Sequence, residues 1–211
     1  MRVAVVDYGS GNLQSVMQSL QSAANGVGCE TEFMLTSRAD DVRRADRIVL
    51  PGVGSFADCA TNLRQLPEME ETLTDAVLHR GRPFLGICVG MQLMADRGFE
   101  DGDTQGLGWI SGDVEKIDAG DLKIPHMGWS GLEFQHSHAV FDGLDEGHAV
   151  YFVHSYHMVV RDKAHILAEM HYGSRLVAAI GRDTMIGMQF HPEKSQRIGQ
   201  MMLMNWLKWK P

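Results

Sequence analysis

Three runs of nearly uninterrupted apolar residues constrain this chain most: RVAVVD at Arg2–Asp7, RIVL at Arg47–Leu50 and FLGI at Phe84–Ile87. A shorter run at Glu32–Leu35 belongs with them. Strands this apolar are buried on both faces, as in a parallel sheet covered by helices on each side. Helical patterning falls between the runs. Leu13, Val16, Met17 and Leu20 recur at helical spacing, with Asn12 placed to cap the start. Further helical patches span Phe56–Leu66 and Glu68–His79, and another opens at Gly90–Ala95. The alternation predicts an α/β fold with a central, mostly parallel mixed sheet flanked by helices.

The second half has a different texture. Short strands are predicted at Trp109–Ile110, Val114–Ile117, Ala149–Val153, Ile166–Met170, Val177–Ile180 and Ile186–Phe190, and Gln196–Trp209 closes the chain as a helix. No repeat, low-complexity segment or flexible linker divides the two halves. Residues 1–211 therefore read as a single domain whose β-rich second half extends the same sheet.

Bulk chemistry narrows the partners. The net charge is −8 and no long Lys/Arg run occurs, so the electrostatic footprint of a nucleic-acid binder is missing. No stretch approaches the ~20 apolar residues of a membrane span. The N-terminal apolar run is broken by Asp7 and is too short for a signal peptide. Three cysteines, Cys29, Cys59 and Cys88, give no disulfide framework, and a reducing cytoplasm is the expected home. His136 and His138 have strand spacing, but nothing nearby completes a tetrahedral metal set, so neither metal nor cofactor is expected.

The strongest local signal is Gly86-Ile87-Cys88-Val89-Gly90, after an apolar strand and before helical residues. A sharp strand-to-helix turn lifts its central side chain into the open and crowds neighbouring backbones, which flanking glycines relieve. A thiol there sits at a helix N-terminus, where the dipole favours the thiolate, and the Val89 N–H can face a developing oxyanion. The competing reading is a small buried cysteine in a core turn. Cys29 and Cys59 lack such a frame and read as structural.

A cysteine nucleophile needs a base. In Gln189-Phe190-His191-Pro192-Glu193-Lys194-Ser195, His191 ends an apolar strand and Pro192 biases it toward extended geometry. In an extended segment His191 and Glu193 share a face, so the carboxylate can hold the imidazole's tautomer. Alternatively, Glu193 caps the following helix and His191 fills a strand end. The elbow at Cys88 favours the triad.

Together these motifs resemble those of class I glutamine amidotransferases of the Cys-His-Glu type. The resemblance covers nearly the whole chain. It narrows to the glutaminase subunits of imidazole glycerol phosphate synthase through DYGSGNL at Asp7–Leu13, LPGVGSF at Leu50–Phe56, IPHMGW at Ile124–Trp129 and YFVHSY at Tyr151–Tyr156. The chain departs from the family in carrying Ser130 where Asn usually follows Trp129.

The resemblance implies hydrolysis of glutamine, with the ammonia channelled to a TIM-barrel cyclase partner in a heterodimer of histidine biosynthesis. The same chemistry feeding another amidation pathway is the alternative. It also implies roles for residues. Cys88, His191 and Glu193 are catalytic. Val89, Gly52 and Val53 form the oxyanion hole. Gly54, Gln92, Glu100, His154, Ser155 and Tyr156 bind substrate. Trp129, Tyr151 and Lys194 face the partner and the ammonia exit. Glycines in the Pro51–Gly54 loop would permit a peptide flip that lets the partner switch activity on, against the plainer reading of a Pro-Gly turn.

Overall fold

The computed structural model describes residues 1–211. Its strands are β1 (Arg2–Val6), β2 (Glu32–Thr36), β3 (Arg47–Gly52), β4 (Phe84–Cys88), β5 (Arg97–Gly98), β6 (Thr104–Gln105), β7 (Gly112–Lys116), β8 (His126–Gly131), β9 (Glu133–Phe134), β10 (Ala149–His154), β11 (Tyr156–Val160), β12 (Ile166–Tyr172), β13 (Ser174–Arg182) and β14 (Met185–Met188). The α-helices are α1 (Leu13–Val27), α2 (Ala39–Arg44), α3 (Phe56–Gln65), α4 (Met69–Thr74), α5 (Val89–Gln92) and α6 (Gln196–Lys208).

Eight strands form the main sheet in the order β2-β1-β3-β4-β14-β13-β12-β9. Pairing is parallel from β2 across to β14 and antiparallel from β14 to β9. The apolar runs form its centre: every residue of β3 and β4 is buried. The chain steps one way from β1 to β2 and the other way to β3 and β4, so right-handed crossovers place their helices on opposite faces. Accordingly α1 packs against α6, whereas α4 packs against both α2 and α3. One continuous core of 61 buried residues fills the layers. No helix is long and apolar enough to cross a membrane.

Several local expectations are corrected. The β-rich half extends the main sheet only through β9, β12, β13 and β14; the other strands form a separate β8–β10 ribbon and a four-stranded sheet, β11-β7-β5-β6. Trp109–Ile110 is a buried bend, not a strand, because burial rather than pairing makes it apolar. Glu68–His79 splits into α4 and a π-helical turn at Asp75–His79. The helix after Cys88 is a single turn, so its dipole is smaller than a Gly90–Ala95 helix would supply. Pro51 and Gly52 do not close β3 but continue it, level with Ile87 and Cys88 of β4. Asn12 makes no capping bond; its left-handed backbone, φ 70°, turns its side chain elsewhere.

Candidate active site

Parallel strands end together, and ligands of open α/β sheets collect beyond their carboxyl ends. Here β3, β4 and β14 are neighbours, and each runs into a segment that the sequence singles out. β3 leads to Val53 and Gly54, β4 ends at Cys88, and β14 leads through Gln189 to His191.

At Cys88 the backbone has φ 54° and ψ −112°, a conformation that side-chain-bearing residues rarely adopt. Close packing around the turn imposes it. A Cβ on Gly86 would meet the Gly90 carbonyl oxygen at 2.6 Å, and a Cβ on Gly90 would lie 1.8 Å from that of Leu50. Both flanking glycines are therefore required by space, and the strained turn presents the thiol to the cavity.

Cys88 and His191 line one cavity of about 250 Å³ with Val53, Gly54, Val89, Gln92, Glu100, Pro125, Val153, His154, Ser155 and Tyr156. That volume lies below the ~300–1,000 Å³ of drug-sized sites and suits a small metabolite. A larger hollow of about 730 Å³ lies along α3 and α4, but its polar lining includes none of the predicted site residues. Gly52 is not part of the cavity wall. It packs beneath the wall, where a Cβ would collide with the Gly90 nitrogen, Val89 and the Tyr8 hydroxyl.

His191 Nδ1 lies 2.7 Å from Glu193 Oε1, and both side chains are 1% exposed. The pair does not share the extended segment that spacing suggested. Pro192–Lys194 form a 3-10 turn, and that turn folds the carboxylate back to the ring. Glu193 caps no helix. The ring's Nε2 makes no hydrogen bond within the protein. Burial by itself pushes His191 down, but contact with the Cys88 thiol and the Glu193 carboxylate outweighs it and raises the ring from 6.5 to about 9. The fold thus favours an imidazolium poised between a sulfur and a carboxylate. Such a set can attack an acyl carbon and protonate its leaving group.

The sign of the pH effect follows. A pKa raised on folding gives stability that is present in full below the unfolded value near 6.5 and is lost as pH rises through about 9. An NMR titration of His191 is expected to centre near pH 9, with activity that needs the protonated ring declining above it. A midpoint at or below 6.5 would contradict the pairing.

Three contributors were not legible in the sequence. Asn12 Nδ2 donates to Glu193 Oε1 at 2.5 Å, so the supposed helix cap holds the carboxylate. Gln189 is fully buried, and its Nε2 lies 3.8 Å from Cys88 Sγ. Its orientation is fixed by a chain of bonds. Gln92 Nε2 donates to the Tyr156 carbonyl and to Gln189 Oε1, both at 3.0 Å, which leaves the Gln189 amide nitrogen for the sulfur. Ser195 is the third. Its hydroxyl accepts from Tyr151 N at 3.0 Å and donates to the His191 carbonyl at 2.7 Å, while His191 N donates to the Tyr151 carbonyl at 2.9 Å. The signal available was only the clustering of polar residues around His191; their long-range partners leave no periodic trace.

Other predicted residues fall in two places. Glu100 reaches the cavity, but its Oε2 already accepts from Phe56 N at 2.7 Å at the start of α3; burial raises its pKa, opposed by that bond. His154 is held neutral by burial, its pKa lowered to about 3. Its Nδ1 must donate to the Tyr156 carbonyl, so His126 donates to His154 Nε2 and Ser130 donates to His126 Nε2. Ser130 therefore completes a partly buried polar chain with His126 and His154. Away from the cavity, Trp129 and Tyr151 pair across the β8–β10 ribbon, with ring centroids 5.9 Å apart. Lys194 Nζ lies 5.8 Å from the centre of the Tyr151 ring. Trp129 is 48% exposed and Met127 63%, so the ribbon presents an apolar face. His138 accepts from Val140 N and packs on Trp209.

Comparison with known proteins shows the family and the fold. The family model described as glutamine amidotransferase class-I matches residues 4–209. The imidazole glycerol phosphate synthase subunit HisH of Brucella suis biovar 1 is 52% identical over 216 aligned positions, spanning 100% of both chains. Its counterparts from Agrobacterium fabrum and Rhodospirillum rubrum are 50% and 53% identical, again over 100% of both chains. Among solved structures, a glutamine amidotransferase superposes with TM-score 0.68 at 17% identity, covering 98% of this chain and 97% of the other. A glutamine amidotransferase from Thermotoga maritima gives TM-score 0.68 at 15% identity, over 99% and 96%. These structural likenesses show the fold alone.

Proposed function

The chain belongs to the class I glutamine amidotransferase family, and from that premise we propose that it is the glutaminase subunit of an imidazole glycerol phosphate synthase, with residues 1–211 acting as one amidotransferase unit. It hydrolyses glutamine to glutamate and ammonia, and the ammonia passes to a cyclase partner in histidine biosynthesis. The observation that carries this reading is the placement of Cys88 and His191 at one cavity beyond adjacent parallel strands, with the buried Glu193 carboxylate behind the cavity on His191 Nδ1. The full-length HisH relatives support the choice of pathway.

In this mechanism the Cys88 thiolate attacks the side-chain amide carbon of glutamine. The oxyanion that forms is held by the backbone N–H groups of Val89 and Val53, both of which line the cavity. His191, protonated and steered by Glu193, gives its proton to the departing nitrogen as the tetrahedral centre collapses to a thioester and ammonia. The neutral imidazole then takes a proton from water, whose oxygen attacks the thioester; collapse releases glutamate and restores the thiolate–imidazolium pair. Gln92 has both amide hydrogens engaged, so its Oε1 is the atom left to accept from substrate. Glu100 retains Oε1 for the α-ammonium, and Gly54 with the His154-Ser155-Tyr156 backbone frames the amino-acid end.

The partner docks on the β8–β10 ribbon through Trp129, Tyr151 and Lys194. Aromatic anchors of this kind dominate interface energetics. The ribbon is also wired to the base, because Tyr151 bonds His191 and Ser195 through both backbone polar atoms. Docking therefore bears on the catalytic histidine through the Tyr151 backbone. Glutamine hydrolysis by the chain alone is expected to rise about tenfold or more when the purified cyclase and its nucleotide ligand are added. Full activity in the isolated chain would overturn the coupling, and no hydrolysis in either state would overturn the glutaminase reading.

A further inference from the structure

We propose that Tyr8, with Ser10 and Cys59, is a positioning residue for the oxyanion donor; this rests on the glutaminase reading and extends it to residues outside the cavity. The three side chains approach the Pro51–Gly54 loop away from the cavity lining. Tyr8 Oη donates to the Pro51 carbonyl at 2.6 Å, and Ser10 Oγ donates to the same oxygen at 3.4 Å. Cys59 Sγ donates to the Val53 carbonyl at 3.6 Å. Those carbonyls belong to the peptide units on either side of the Gly52–Val53 peptide. The unit between them carries the Val53 N–H, which makes no hydrogen bond within the protein.

A peptide plane is rigid, so fixing its carbonyl also fixes the N–H at its other end. Holding the planes on both sides restricts the rotation left to the central one. Tyr8 and Cys59 thereby set where the Val53 N–H stands relative to Cys88. The fit is tight: a Cβ on Gly52 would lie 2.7 Å from Tyr8 Oη, so only glycine passes beneath the hydroxyl. Both donors keep their protons at physiological pH. Burial pushes the Tyr8 phenol well above its usual range and the Cys59 thiol up to about 11. Tyr8 is 4% exposed and Cys59 3%, so neither touches solvent-borne substrate directly.

The test separates positioning from general damage. Alkylation of Cys88 by iodoacetamide is displacement at a saturated carbon and needs no oxyanion hole, whereas attack on glutamine does. In the chain assembled with its cyclase, Tyr8→Phe is expected to lower kcat for glutamine about tenfold, less than the ~10²–10³-fold loss of a whole oxyanion donor. KM and the Cys88 alkylation rate should stay within about twofold of the unaltered enzyme. Cys59→Ala should lower kcat in the same selective way, and Cys59→Ser, which keeps a donor on the Val53 carbonyl, should restore it. Unchanged kcat in both Tyr8→Phe and Cys59→Ala overturns the proposal. So does a parallel fall in alkylation and turnover, which would mean that Cys88 itself has moved. Absence of glutamine turnover in the unaltered complex would instead refute the glutaminase reading on which the proposal rests.

Discussion

Cys88→Ala is expected to lower glutamine hydrolysis by at least about ten-thousand-fold while leaving synthesis from added ammonium in the assembled enzyme intact. Removing the nucleophile of a coupled triad costs nearly as much as removing the whole set, which places the loss at this scale. The substitution takes away one buried sulfur, and the turn already accommodates a Cβ at φ 54°. Alanine therefore fits the backbone, and the fold is expected to persist. Preserved ammonium-dependent synthesis shows that the partner is still assembled and competent. If both activities fall together, Cys88 has a structural role and the chemistry assigned to it is wrong.

Gly90→Ala is the second large effect, and it arises from packing. The added Cβ would sit 1.8 Å from the Leu50 carbonyl oxygen and 2.8 Å from its carbon. Both belong to β3, a fully buried central strand that cannot swing away as a flexible side chain could. Relief requires β3 and the Cys88 turn to separate. A cost of about 3 kcal/mol or more is expected, equivalent to a fall in Tm of roughly 6–12 °C for a chain of this size. Activity should collapse as well, because β3 runs directly into the loop that carries Val53. Calorimetry and glutamine hydrolysis on the same preparation check both parts. A stable, active Gly90→Ala protein would mean that the close approach of the two strands is not required.

These two substitutions also show what a sequence can disclose. The apolar runs at Arg2–Val6, Arg47–Leu50 and Phe84–Ile87 were legible as central strands because burial on both faces leaves no room for polar residues. The glycines around Cys88 were legible because a sharp turn between packed backbones excludes side chains. His191 and Glu193 were paired correctly in space, although the 3-10 turn that brings them together was not foreseen. Contacts between residues far apart in the chain left no such trace. Asn12 looks like a helix cap from its neighbours, yet it binds Glu193, 181 positions away. Cys59 is a local case: it looks like core filler, and its thiol reaches the Val53 carbonyl, six residues back, because α3 starts just after Gly54. Strands β8 and β11 were missed because their mixed polarity reflects half-exposed sheets.

In the proposed mechanism Cys88 forms a covalent bond to the glutamyl group during turnover. Rapid quenching of the assembled enzyme with glutamine, followed by peptide mass mapping, tests it most directly. A transient glutamyl adduct confined to the peptide bearing Cys88, lost on further incubation as glutamate appears, is the expected result. An adduct on Cys29 or Cys59, or a burst of ammonia with no adduct on any cysteine, would contradict it.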